Sequence, residues 1–130
     1  MRLIECEMKE EIENWWKQAK RDLKSANNSL KSGDFYIASF LSQQAIEKGL
    51  KALYLKEKNH IKKIHNIVIL AKELNLPINL IEDCDKINPV YIDTRYPHAR
   101  ELPFKGYRKE RSKDDIMAAK RVLKWLKKKI

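Results

Sequence analysis

The chain opens with an apolar stripe. Ile12, Trp15, Trp16, Ala19, Leu23, Ala26 and Leu30 recur three and four residues apart, while Lys17, Lys20, Arg21 and Lys24 fall between them. That spacing places one apolar face on an α-helix and leaves the other faces to water. Ser32-Gly33-Asp34 then interrupts the pattern. Gly33 suits a left-handed C-terminal cap, and Asp34 suits the N-cap of a following helix.

The second periodic segment runs from about Asp34 to Lys58 and is apolar on most sides, from Phe35 and Ile37 through Ile46 and Leu50 to Leu53, Tyr54 and Leu55. A helix apolar nearly all round is one that other elements surround. Its polar residues are therefore conspicuous. Gln44, Lys48 and Lys51 share a face at i, i+4, i+7, and Glu47 can pair with Lys51 at i, i+4.

Shorter elements follow. A third helix is expected from about Ile64 to Leu74, with Ile64, Ile67, Val68, Ala71 and Leu74 inward and Asn75-Leu76-Pro77 ending it. A fourth starts near Asn79 with Leu80, Cys84, Ile87 and Tyr91 on one stripe, and Pro89 is expected to kink or interrupt it. Pro97, Pro103 and Gly106 mark residues 95–111 as a long basic loop. The last helix is expected to begin at Ser112, with Asp115 three residues on in a capping-box spacing. Ile116, Ala119, Leu123 and Leu126 would face inward, with Lys120, Arg121, Lys124, Lys127, Lys128 and Lys129 outward.

These elements predict an all-α, up-and-down bundle of four to five helices in a single domain over residues 1–130. Composition agrees. Only 3 glycines and 4 prolines occur, against 43% apolar residues, which disfavours sandwiches, barrels and Gly-rich phosphate loops. No apolar run reaches the length of a membrane span, and the first ten residues lack the apolar core of a signal peptide, so a cytoplasmic protein with no membrane association is expected. Cys6 and Cys84 have no metal-type spacing and read as buried or partly buried apolar residues in a reducing compartment. His60, His65 and His98 form no metal-ligand pattern either, so no metal or other cofactor is expected, and His65 reads as a capping or packing residue near the third helix.

Charge sharpens the picture. The net charge is +10, yet residues 1–94 hold 15 basic and 14 acidic side chains, whereas residues 95–130 hold 13 and 4. A one-sided field of that kind suits a polyanion or an acidic partner, and equally a solvated Lys-rich face. At its start lies Tyr91-Ile-Asp-Thr-Arg-Tyr-Pro-His98. Arginine forks onto phosphate, tyrosine stacks on bases, and histidine transfers protons near neutral pH. Tyr91, Asp93, Arg95 and Tyr96, together with Lys48 and Lys51, are thus candidates for binding a nucleotide or RNA.

Three segments together, Ser42-Gln-Gln-Ala-Ile-Glu-Lys-Gly-Leu-Lys-Ala-Leu-Tyr54, Ile64-His-Asn-Ile67 and Tyr91-Ile-Asp-Thr-Arg-Tyr-Pro97, resemble the HEPN domain family over residues 10–128. The resemblance implies a helical bundle that is commonly a homodimer. It also implies a minimal nucleotidyltransferase as partner protein, in a toxin–antitoxin-like pair whose HEPN member is an RNA-cleaving toxin. Ribonuclease members carry Arg, four to six residues, then His. Arg95 and His98 have only two residues between them, so that motif does not carry over. Cleavage without a metal would have to use Arg95 and His98 as its catalytic pair, completed across a dimer interface. Three functions follow as expectations: a nucleotide- or RNA-binding partner of a nucleotidyltransferase, an active ribonuclease toxin, or a non-catalytic helical interaction module.

Overall fold

A computed structural model describes residues 2–96 and 102–130. Among these residues seven helical segments occur in this order: α1 (Arg2–Ser32), α2 (Phe35–Lys58), α3 (Ile67–Glu73), α4 (Ile78–Ile87), α5 (Val90–Asp93), α6 (Pro103–Gly106) and α7 (Lys109–Lys127). Two of these, α5 and α6, are single turns, so five helices carry the bundle, and no strand occurs among the described residues.

The α1–α2 hairpin turns where the Gly-Asp pair predicts. Gly33 takes φ +84°, and the N–H groups of Gly33 and Asp34 bond back to the carbonyls of Leu30 and Ser29 at 3.2 and 2.9 Å. Asp34 does sit at the N-cap of α2, but its side chain caps nothing; it accepts instead from the Ser32 hydroxyl at 3.5 Å. The second helix is the surrounded one. Ala45, Ile46, Leu50, Ala52 and Leu53 are essentially inaccessible, and α1, α7 and α3 all pack on it. Each large aliphatic side chain buried this way contributes roughly 1.5–3 kcal/mol. Where α1 and α7 meet α2, Gly49 permits the approach: a Cβ there would stand 2.9 Å from Leu126 Cδ1 and 3.6 Å from Trp16. Ser39 contacts Ser112 and Gly49 faces Leu126, so α7 runs in the same direction as α2, antiparallel to α1. The segments α3 to α6 carry the chain back.

Several expectations are corrected. The helix expected from Ile12 starts at Arg2, and its first turns are almost fully exposed. Cys6 lies in them and is exposed; Cys84 is buried, and burial pushes its thiol up to about 12. The third helix begins only at Ile67, because Asn66 caps it and accepts from the N–H groups of Val68 and Ile69. Pro89 interrupts the fourth helix as expected, separating α4 from the turn α5. Ser112 is not an N-cap. The helix α7 starts at Lys109, and Ser112 lies inside its first turns with its hydroxyl donating to the Phe35 carbonyl at 2.7 Å. Asp115 is held by Arg111 at 3.2 Å instead of closing a capping box. Part of the expected loop over 95–111 is helical, as α6 and the start of α7.

The inward positions of α7 agree with expectation: Ile116, Ala119, Leu123 and Leu126 are buried, and the six basic residues are exposed. Arg121 forks onto Asp83 with bonds of 2.9 and 3.0 Å, tying α7 to α4.

Candidate nucleotide-binding site

A surrounded helix must satisfy its polar side chains inside the protein. On α2 this requirement builds the site. The Glu47 carboxylate, 5% exposed, accepts from Lys51 Nζ at 3.1 Å and from Gln43 Nε2 at 3.2 Å. His65 Nδ1 lies 3.2 Å from both of its oxygens. A carboxylate can only accept, so Nδ1 carries a proton and donates; in the neutral ring Nε2 is then the acceptor.

His65 reaches Glu47 from the connection between α2 and α3. Asn59, in the left-handed conformation at φ 61°, ends α2. Asn66 then starts α3, so His65 is held directly before a capped helix. Its ring stacks on Tyr91 of α5, with centroids 4.3 Å apart and planes 14° from parallel. The Arg95 guanidinium lies 4.7 Å from the Tyr91 ring and donates to the Tyr91 hydroxyl. Tyr96, half-exposed, stands 6.0 Å from the same guanidinium. The result is a run of contacts, Lys51–Glu47–His65–Tyr91–Arg95, that passes from the buried face of α2 to the surface.

Beside it is a hollow of about 280 Å³ lined by His65, Asn66, Asn88, Tyr91 and Ile92. Asn88 Oδ1 accepts from the Ile67 N–H at 3.0 Å, and Asn66 Oδ1 serves Val68 and Ile69. Both asparagines spend their carbonyl oxygens on α3, leaving their NH2 groups as donors. The hollow therefore offers a phenol ring, an imidazole and two amides, and the exposed Arg95 guanidinium stands next to it against Tyr91. Those groups suit a base, a ribose and a phosphate. No group of three His, Cys, Asp or Glu fit to hold a metal occurs among the described residues.

Of the residues expected from the sequence, Tyr91, Arg95 and Tyr96 come together here, and Lys51 joins them through Glu47. Lys51 is only 6% exposed, and its ammonium also faces the Trp15 ring at 5.6 Å, so it supports the site from below instead of meeting a ligand. Lys48 is turned to α1, where Asp22 holds it at 2.6 Å. Asp93 bears on Tyr107, whose hydroxyl is pushed up to about 12, chiefly by burial and further by Asp93 and Asp115. His98 lies outside the described residues. Glu47, His65, Asn66 and Asn88 were not among the expected site residues. The signals for them were a charged Glu47 on a helix with no outer face and the presence of Glu47, His65 and Asn66 within the segments that carry the family resemblance.

The model of the HEPN domain family matches residues 12–130. The chain belongs to the HEPN family. This HEPN domain is similar in structure to TT1696 from Thermus thermophilus, with a TM-score of 0.85 and 29% identity over 92% of this chain and 98% of that one. It is also similar to ST0689, described as an archaeal HEPN homologue, with a TM-score of 0.78 and 33% identity over 90% and 95%. An HEPN domain protein from Thermotoga maritima, 19% identical, shares the fold at a TM-score of 0.70 over 88% of this chain and 95% of that one. Comparison with curated proteins gives no match. Among the described residues no helix is long and apolar enough to cross a membrane.

Proposed function

We propose that this HEPN domain binds a nucleotide or single-stranded RNA in the hollow beside His65 and Tyr91, with Arg95 gripping phosphate. One observation carries the reading: the stacked His65 and Tyr91 rings with the exposed Arg95 guanidinium against them. A base would stack on this pair from the side of the His65 ring, whose side chain is 54% exposed, and the fork would take phosphate. Tyr96 would add a second stacking surface, and Asn66 and Asn88 would donate to base or ribose oxygens. Family membership supports the rest of the reading, which is a homodimer working with a minimal nucleotidyltransferase in a toxin–antitoxin-like pair.

Isothermal titration with ATP and with a short single-stranded RNA tests this. The wild type is expected to bind one or both, and Arg95→Ala to weaken binding by tenfold or more. Absence of binding by the wild type, or an indifferent Arg95→Ala, counts against the reading.

A second reading, RNA cleavage, is favoured by the His65–Glu47 bond. It leaves Nε2 facing away from the carboxylate as a base for a 2′-hydroxyl, with Arg95 as the cation for the phosphate. Here His65 takes the role first expected of His98. Cleavage of RNA by the wild type that is lost in both His65→Ala and Arg95→Ala would establish it. No cleavage leaves the domain a binder.

A further inference from the structure

Among the described residues, little packs on the start of α1. Leu3 and Ile4 are 75% and 64% exposed, and every residue from 3 to 11 except the half-buried Met8 is exposed. This stretch is nevertheless amphipathic. Ile4, Met8 and Ile12 recur four apart and lead into Trp16. Around them stand Glu5, Glu7, Glu10, Glu11 and Glu13 against the single Lys9. Residues 3–13 thus form an acidic helix whose apolar stripe is exposed at Ile4 and half-buried at Met8 and Ile12.

Further along the same helix is a surface of opposite character. A groove of about 270 Å³ runs between α1 and α7. Trp16, Leu23 and Leu123 supply its apolar surface, and Lys20, Lys120, Lys124 and Lys127 edge it. None of these four lysines has a carboxylate partner among the described residues; Lys20 has only the Trp16 ring, at 6.0 Å.

We infer that the groove between α1 and α7 takes the acidic start of α1 from a second copy of this chain. Three features carry this. Charge is complementary: a net −4 segment meets four unpaired lysines. Chemistry is complementary: Ile4, Met8 and Ile12 meet Trp16, Leu23 and Leu123, and lysine stems cover the joint. Geometry is complementary. Segment and groove lie on one helix, so turning a second copy end for end about a two-fold axis lays each segment along the other's groove. At 1.5 Å per residue, both the Ile4–Ile12 stretch and the Trp16–Leu23 stretch are roughly 11–12 Å long. Groove-on-groove pairing is excluded by the eight lysines it would oppose.

The inference deepens the homodimer part of the reading above and does not depend on the ligand. It is tested by measuring mass in solution with light scattering on the full chain. The wild type is expected to be a dimer of the 15.4 kDa chain. Lys120→Glu with Lys124→Glu takes the four groove lysines from +4 to a net charge of 0, and Glu5→Lys with Glu11→Lys takes the segment from −4 to 0. Each double variant is expected to raise the dimer dissociation constant at least tenfold. All four sites are exposed, so far-UV circular dichroism should show each variant as helical as the wild type. Mixing the two variants is expected to restore a dimer, because the mixed pair regains one wild-type seam, the unaltered −4 segment of one variant on the unaltered +4 groove of the other. A monomeric wild type overturns both the homodimer and its surface. A dimer that ignores both charge reversals, or folded variants that fail to recover on mixing, overturns the surface alone.

Discussion

Two helices of this HEPN domain carry conspicuous charge, and they use it in opposite ways. On α2, Glu47, Lys48 and Lys51 are each held by a partner, and Glu47 and Lys51 are buried. On α7, Lys120, Lys124 and Lys127 are exposed and have no carboxylate partner among the described residues. Net charge draws attention to residues 95–130, which hold most of the excess and include α7. The site is organised from α2, whose region of the chain is nearly neutral. Buried charges must be paired and so become positioned. Exposed charges supply long-range potential and little geometry.

Substitutions can break this contrast, beginning with the largest effect. Glu47→Ala leaves Lys51 buried without its carboxylate and removes the support of His65; a loss of about 3–5 kcal/mol is expected, measured by urea unfolding. Gly49→Val drives a branched side chain into Leu126 and Trp16 where the three long helices meet, and about 1–3 kcal/mol should be lost in the same assay. Asn66→Ala removes the cap that sets the start of α3 and the seat of His65, at a cost of about 1 kcal/mol. At the other end, Lys128→Glu with Lys129→Glu should change stability by under about 0.5 kcal/mol.

The contrast has one internal exception, and pH exposes it. Asp115 is the buried acid of α7, and its carboxyl is raised above its ordinary value, first by burial and against the opposing pull of Ser39 and Arg111. A raised carboxyl means the folded state holds its proton more tightly than the unfolded chain does. Its contribution therefore favours the fold in acid and is lost as pH rises from the unfolded value near 4 through the folded one. Asp115→Asn should flatten that fall in a series of unfolding curves across pH. If the slope is unchanged, Asp115 is not the group responsible.

Much of the fold is legible in the residue pattern, for reasons that particular residues make plain. The Ala19–Leu30 stripe, the all-round apolar α2 and the inward face of α7 each bury what their periodicity says they should. Helix ends are less legible because the deciding partner is remote. Ser112 has the type and spacing of an N-cap, yet its hydroxyl is taken by Phe35 and faces Ser39, more than seventy positions earlier. The extension of α1 to Arg2 buries almost nothing, so no apolar signal marks it; its Leu, Glu, Met and Lys residues are simply good helix formers. The site divides in the same way. Tyr91, Arg95 and Tyr96 are neighbours in sequence and stand out as a cluster. His65 and Glu47 are eighteen residues apart, and only the tertiary structure shows that one holds the other.

The central claim is that ligand recognition belongs to the His65–Tyr91–Arg95 run and not to the basic face of α7. The most direct measurement titrates one labelled single-stranded RNA into the wild type, Tyr91→Leu, and the combined Lys127→Ala, Lys128→Ala, Lys129→Ala variant at a fixed salt concentration. Tyr91→Leu removes a stacking surface worth about 1–3 kcal/mol and should weaken binding about fivefold or more, while the lysine variant should lose less. The opposite order, with Tyr91→Leu binding as the wild type does and the lysine variant losing its affinity, would contradict the account.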